Sequence, residues 1–319
     1  MSEHQAAASS LRETRRDFLK TSAAAAGAAV AGGLAVSRAV HAAGSDILKV
    51  GLVGCGGRGS GAAVDALTAD PHTKLVAMHD GAIGQIVALE ETCNTGSLRW
   101  RPRQPGWTEM EYQIRDWYDF FWLSCDLPGL NLVHDLDKGA WAMRDEPPVR
   151  CWGMGGRQTR LGPRFGDVWD HFSIAYEYAS GARMFAYCRQ QDGCASDISD
   201  RFYGTKGRCD LLRLRIDGEK PWRYAGPDCD RFTLEHVALF SAIRSGKPIN
   251  NGLYMARSSM LAIMATWACY TGEVITWEQA MKSNHAVAPE RLALDADPPT
   301  RPDVQGNYPM PVPGLTKFA

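Results

Sequence analysis

A short apolar run, Ile47 to Val53, leads straight into Gly54-x-Gly56-x-x-Gly59, and an alanine-rich segment, Ser60 to Ala69, follows. Three glycines at that spacing, between a strand and a helix, restrict the fold more than any other feature of the chain. Read as strand, tight turn and helix N-terminus, they form the setting of a dinucleotide fingerprint. Gly54 permits the turn, Gly56 lets the backbone approach a pyrophosphate, and Gly59 lets the helix pack on the strand, with Gly57 and Arg58 completing the loop. The unpaired N–H groups and the dipole of the helix end would then hold the phosphates. A second apolar run, Lys74 to Met78, ends near Asp80. A ribose-binding carboxylate is expected there, roughly 20 residues after the turn. The alternative is a glycine-rich turn of any α/β protein, with Asp80 a solvated loop acid.

The chain has 319 residues, enough for two domains. Its net charge of -1 gives no electrostatic case for nucleic acid or for an anionic membrane surface. The nine cysteines form no CxxC pair and no Cys/His spacing suited to zinc, so no metal site is expected.

Residues 1–43 read as a targeting segment. Arg15-Arg16-Asp17-Phe18-Leu19-Lys20 precedes a weakly apolar run, Ala23 to Val36, and Val40-x-Ala42 offers small residues for cleavage near Ala42. The pattern resembles a twin-arginine signal, which exports folded proteins to the periplasm or beyond. The apolar run is too short and glycine-rich for a stable membrane span once the signal is cleaved.

After Asp80 the chain does not supply the two βαβαβ halves of a complete dinucleotide domain. Gly81 to Gly84 leads directly into Gln85 to Thr92, which reads as a strand of a second domain. Arg99 to Leu123 is dense in aromatics; its first part, with Pro102 and Pro105, reads as loop and Glu109 to Leu123 as helix. Such rings either line a sugar-binding cleft or build a core. His134 to Met143 reads as a helix in which His134 and Asp137, three apart, share one face. A carboxylate beside an imidazole fixes its tautomer and raises its basicity, the arrangement a proton-transfer pair needs; a surface His/Asp pair is the alternative.

Strands are expected at Val149 to Trp152, in a hairpin of Phe172 to Tyr178 and Ala182 to Cys188 around Ser180-Gly181, and over Leu212, Leu214 and Ile216. Arg189 to Asp192 would be either a hydroxyl-binding cluster or a solvated loop. Helices are expected at Leu234 to Ser245, with Val237, Phe240 and Ile243 at helical spacing, at Met255 to Tyr270, and from Trp277. The tail from Pro289, rich in proline and aspartate, reads as irregular.

Taken together, Leu48 to Gly59, His134-x-x-Asp137, Gly204-Thr205-Lys206-Gly207, Phe240-x-x-Ile243-Arg244-Ser245-Gly246-Lys247-Pro248 and Asn250-Asn251-Gly252 resemble the glucose–fructose oxidoreductase and inositol dehydrogenase (Gfo/Idh/MocA) family. The resemblance is greatest to twin-arginine-exported members of planctomycete-type bacteria. It implies an α/β fold: a Rossmann unit carrying NAD or NADP, then an α/β domain with an open, mainly antiparallel sheet. It further implies a homo-oligomer through the sheet face, and hydride transfer at a hydroxyl of a small carbohydrate or cyclitol. His134 would be the acid/base, Asp137 its orienting partner, and Gly54, Gly56, Gly57, Arg58, Gly59 and Asp80 the cofactor contacts.

On this basis residues 44–82 form a truncated dinucleotide-binding unit, 83–288 the sheet domain and 289–319 an extended tail. Two departures stand out. The family's Glu-Lys-Pro motif has no counterpart at its expected place, since Glu219-Lys220-Pro221 lies in the second domain. Leu127 and Leu130 are apolar where polar residues are expected before the histidine. The nicotinamide half of the cofactor site is therefore expected to be missing, and a non-catalytic exported carbohydrate-binding or scaffold protein is the competing reading.

Overall fold

A computed structural model describes residues 48–50, 73–75, 82–97, 100–224 and 231–318. The targeting segment, the glycine turn, the helix expected at Ser60 to Ala69 and Asp80 lie outside the described residues. Strands β1 (Leu48–Val50) and β2 (Thr73–Leu75) pair in parallel, Leu48 opposite Thr73. Parallel strands need a crossover between them, so the expected strand–crossover–strand unit is the arrangement that this pairing fits.

The chain then enters β3 (Ile86–Thr95), at the middle of a nine-stranded sheet. Three short helices follow: α1 (Glu109–Arg115), α2 (Phe121–Ser124) and α3 (Val133–Ala142), the last preceded by a π-helical turn, Pro128–Leu132. Next come β4 (Arg150–Gly156), β5 (His171–Glu177), β6 (Arg183–Gln190), β7 (Asp197–Gly204), β8 (Gly207–Asp210), β9 (Arg215–Gly218) and β10 (Trp222–Arg223). The chain continues with α4 (Arg231–Ser245), α5 (Gly252–Thr271), β11 (Ile275–Thr276) and α6 (Trp277–Lys282).

Across the sheet the order is β10-β9-β8-β7-β3-β6-β5-β4-β11, and β3 with β6 is its one parallel pair. The fold is thus α/β with a large, open, mainly antiparallel sheet. No helix among the described residues is long and apolar enough to cross a membrane.

Alternation decides which face is covered. Phe172, Ile174 and Tyr176 of β5 and Met184, Ala186 and Cys188 of β6 are buried in one core with Leu261, Met264, Ala265 and Ala268 of α5. Tyr176 reaches through it to donate to the carbonyl of Leu261 at 2.8 Å. The hairpin turn is as expected: Gly181 has φ 83°, and Tyr178 N–H donates to Ala182 O at 3.0 Å.

Several expectations need correction. The strand placed over Leu212 to Ile216 begins at Arg215, because Leu211 to Leu214 turn, with Leu214 at φ 53°. The helix expected over Glu109 to Leu123 breaks after Arg115. Asp116 caps α1, and Phe120, whose buried ring contacts Tyr112 and Tyr308, adopts an extended backbone before α2. Tyr112, Tyr118 and Phe120 thus take the core alternative, while Trp100 and Trp117 are exposed. Gln190 and Gln191 are buried, so that stretch is no solvated loop. The apolar stripe of α4 is not covered: Val237, Phe240 and Ile243 are 58%, 47% and 64% exposed. The tail is irregular but docked. Its Tyr308 donates to Glu109 Oε1 at 2.6 Å, and Thr300 O accepts from Gln113 at 2.8 Å.

α3 crosses the sheet over β3 and β7. Gly139, in the middle of this helix, leaves no room for a side chain. A Cβ there would lie 2.6 Å from Met184 Sδ and 2.7 Å from Glu91 Oε1. Glu91 is fully buried and neither carboxylate oxygen has a hydrogen-bond partner other than the neighbouring carboxyl of Asp200. Burial pushes its carboxyl well above the usual range, and Asp200 and Asp135 push in the same direction. A group whose folded value is raised stabilises the fold at pH below its unfolded value, and that contribution is lost as pH rises. Glu91→Gln is therefore expected to be more stable than the parent at pH 8, with the difference closing toward pH 5. Melting temperatures of both chains across that range check it, and a parent that gains stability relative to the variant with rising pH would contradict it.

Candidate active site

α3 is held by its approach. Cys125 and Asp126 both sit in the left-handed region, φ 56° and 57°, and turn the chain out of α2. The buried Asp126 carboxylate fixes that turn. It accepts from Leu127 N–H at 2.6 Å, from Trp169 N–H at 2.7 Å and from the hydroxyl of Tyr270 on α5. One turn before His134, Asn131 Oδ1 accepts from Tyr118 at 2.8 Å and from the amide of Gln190 at 3.2 Å, which ties the π-helical turn to the end of β6.

α3 presents three different surfaces. His134 is exposed. Asp137, buried, faces α5, where its Oδ1 accepts from Ser258 Oγ at 2.6 Å and from the hydroxyl of Tyr254. Asp135 and Lys138 face the sheet; Lys138 Nζ lies 2.7 Å from Asp135 Oδ1 and also bonds Asp200 of β7. Burial alone would lower the Lys138 ammonium, but Asp135 and Asp200 outweigh it and hold it above its ordinary value.

His134 and Asp137 therefore straddle the rim of the α3–α5 seam rather than sharing one exposed face. They remain close enough to interact. Burial raises the Asp137 carboxyl, the hydroxyls of Ser258 and Tyr254 oppose that, and the charge of His134 opposes it further. An exposed imidazole beside a buried, hydroxyl-bonded carboxylate can take up and pass on a proton.

Neither Tyr254 nor Ser258 follows from the sequence pattern. They lie four apart on a helix the sequence does reveal, but nothing local says that this face meets Asp137. A second histidine–carboxylate pair also carries no signal in the spacing of the chain. His171 Nδ1 is 2.7 Å from Asp170 Oδ1 at the start of β5. Asp170 is buried, and its Oδ2 accepts the N–H groups of Gln158, Thr159 and Arg160 at 2.6–3.1 Å.

The residues expected to hold the cofactor, Gly54, Gly56, Gly57, Arg58, Gly59 and Asp80, lie outside the described residues. The parallel β1–β2 pair suits the phosphate-binding half of a dinucleotide site. Among the described residues no further parallel strand joins it, and β3 already belongs to the other sheet. No group of three or more His, Cys, Asp or Glu side chains among the described residues could hold a metal ion.

No protein-family model matches the chain, and no curated protein matches it. Among solved structures it is similar to aldose-aldose oxidoreductase from Caulobacter crescentus complexed with glycerol, at 19% identity and TM-score 0.46, over 62% of this chain and 57% of that one. It is also similar to a myo-inositol dehydrogenase from Corynebacterium glutamicum, at 15% identity and TM-score 0.43, over 68% and 61%. A third is the WlbA dehydrogenase from Bordetella pertussis in complex with NADH and UDP-GlcNAcA, at 17% identity and TM-score 0.44, over 63% and 57%. The chain thus spans 57–61% of the length of these structures.

Asp170 supplies a test of the local geometry. Burial pushes its carboxyl up, but His171 and the three backbone N–H groups win and hold it at about 2. A depressed carboxyl stabilises the fold above its unfolded value and loses that contribution as pH falls through the folded one. Asp170→Asn is expected to cost about 2 kcal/mol at pH 7. The deficit should shrink as pH falls from about 4 toward 2. Urea unfolding of both chains over that range measures it.

Proposed function

We propose that this chain is an NAD(P)-linked oxidoreductase-type protein of the glucose–fructose oxidoreductase and inositol dehydrogenase kind, acting on a hydroxyl of a small sugar or cyclitol. The observation that carries the reading is the α3–α5 seam. There an exposed imidazole stands one turn from a buried carboxylate, on the segment whose sequence resembles that family. When bound, the nicotinamide would accept hydride from the carbon bearing the hydroxyl. The chain's own part is to take the hydroxyl proton on the imidazole of His134 while the carboxylate of Asp137, one turn along the helix, stabilises its charged form. Gly54, Gly56, Gly57, Arg58, Gly59 and Asp80 are proposed as the adenosine-side contacts of NAD or NADP.

The wider setting is proposed on the sequence alone: export by the twin-arginine route to the periplasm or beyond, and a homo-oligomer joined through the open sheet face. One observation favours the second reading, a non-catalytic carbohydrate-binding or scaffold protein. β3 lies in the centre of the large sheet, only a short connection after β2, which leaves little chain for the half of a dinucleotide domain that positions the reactive ring. Positioning accounts for much of the rate in such reactions.

Thermal shift separates the two. A cofactor at 100 times its Kd stabilises a protein by about 2.7 kcal/mol. On the oxidoreductase reading NAD(H) or NADP(H) raises the melting temperature, and His134→Ala lowers turnover of any accepted sugar or cyclitol about 100-fold or more with folding intact. A shift with inositol or a hexose but with neither cofactor would instead establish the binding protein.

A further inference from the structure

The α3–α5 seam holds more than the pair legible in the sequence. Asp137 Oδ1 receives two hydroxyl donors from successive turns of α5, Ser258 at 2.6 Å and Tyr254. Its other oxygen, Oδ2, is buried with no hydrogen-bond partner. Ser258 is buried and Tyr254, in the first turn of α5, is half-buried.

A carboxylate that only tied two helices together would be expected to satisfy both oxygens, because a bare buried acceptor costs about 1–3 kcal/mol. Nor does α3 need this tether. Lys138 already binds it to Asp200 of β7, and Gly139 already seats it against Met184 and Glu91. Two donors on one oxygen have a different consequence. Both hydroxyls donate best to an ionised acceptor, so together they oppose the protonation that burial favours.

The other charged groups around Asp137 do not do this by hydrogen bonding. Lys138 points to the sheet, where Asp135 and Asp200 hold it. Asp145, just beyond α3, is of like charge and is itself influenced by Arg257 of α5. His134 is a further charged neighbour among the described residues.

We propose that Tyr254 is a positioning residue of the candidate active site: with Ser258 it keeps Asp137 ionised and fixed in orientation beside His134, and so sets the basicity of that imidazole. This role rests on the reading of His134 as the acid/base group. Tyr254 acts through Asp137 and is assigned no contact with substrate. Loss of its hydroxyl leaves Asp137 with one donor, shifts the carboxyl toward its neutral form, and removes from His134 the anion that favours imidazolium.

The test is an NMR titration of the His134 imidazole in the full chain without cofactor or substrate, the resonance assigned by its loss in His134→Ala. Asp137→Asn is expected to move the His134 midpoint to lower pH. Tyr254→Phe and Ser258→Ala should each move it part of the way, and the double variant further than either. Melting temperature and the amide spectrum show that each variant is folded; should Tyr254→Phe fail to fold, Ser258→Ala carries the test. His134 titrating in Tyr254→Phe, or in Ser258→Ala where that variant stands in, as it does in the parent would overturn the proposal. So would an Asp137→Asn chain with an unchanged His134 midpoint. Because no cofactor takes part, these outcomes are independent of the thermal-shift result that decides the oxidoreductase reading.

Discussion

The helix that carries His134 and Asp137 is anchored to the sheet by a lysine with almost no access to water. Lys138 is 5% exposed and lies between Asp135 of its own helix and Asp200 of β7. Placing an ammonium there costs several kcal/mol of hydration, which only well-placed carboxylates can offset. Two carboxylates on one lysine offset it with charge left over, and Glu91 next to them is pushed toward its neutral form. The arrangement tolerates little rotation of α3. A turn of the helix that withdrew Lys138 from Asp200 would leave buried charges of one sign facing each other. This orientation is what directs Asp137 to α5 and His134 to the surface.

The rest of the domain supports that one helix. β3 enters the sheet between β6 and β7 and presents Leu89, Glu91 and Cys93 to the covered face, so the floor under α3 is part polar and part apolar. α5 completes the seam. Its middle and C-terminal turns are buried on β4 and β5, while its first turns, free of the core, are available to meet Asp137 through Tyr254 and Ser258. Asp126 and Asn131 fix where the helix begins. The seven cysteines among the described residues are all free, five of them buried.

The stripe of α4 that faces water sets this helix apart from the buried α5. A helix with Val237, Phe240 and Ile243 in water gains little from its own pattern, since most helical stability comes from burying such a face. The sequence of this region resembles a family whose members join the sheet domain to a complete dinucleotide domain. In this chain the connection from β2 to β3 is short, and the large sheet domain makes up most of the described protein.

Local pattern was enough to reveal the elements. The hairpin of β5 and β6, the two long helices, the start of α6 and the irregular tail all follow from alternation, helical spacing and turn residues, which act over a few neighbours. It also marked His134 and Asp137 as a pair, since residues three apart on a helix are always neighbours. Long-range contact decided the rest. Whether Phe120 lines a cleft or fills a core depends on Tyr308, far along the chain. Whether Leu212 extends a strand depends on how β9 registers with β8. Which groups bond Asp137 depends on α5 arriving at α3, and Asp170 finds its donors only when the β4–β5 loop folds over it. Spacing in a sequence reports which side chains share a face, whereas the identity of the surface opposite is fixed only by the tertiary fold.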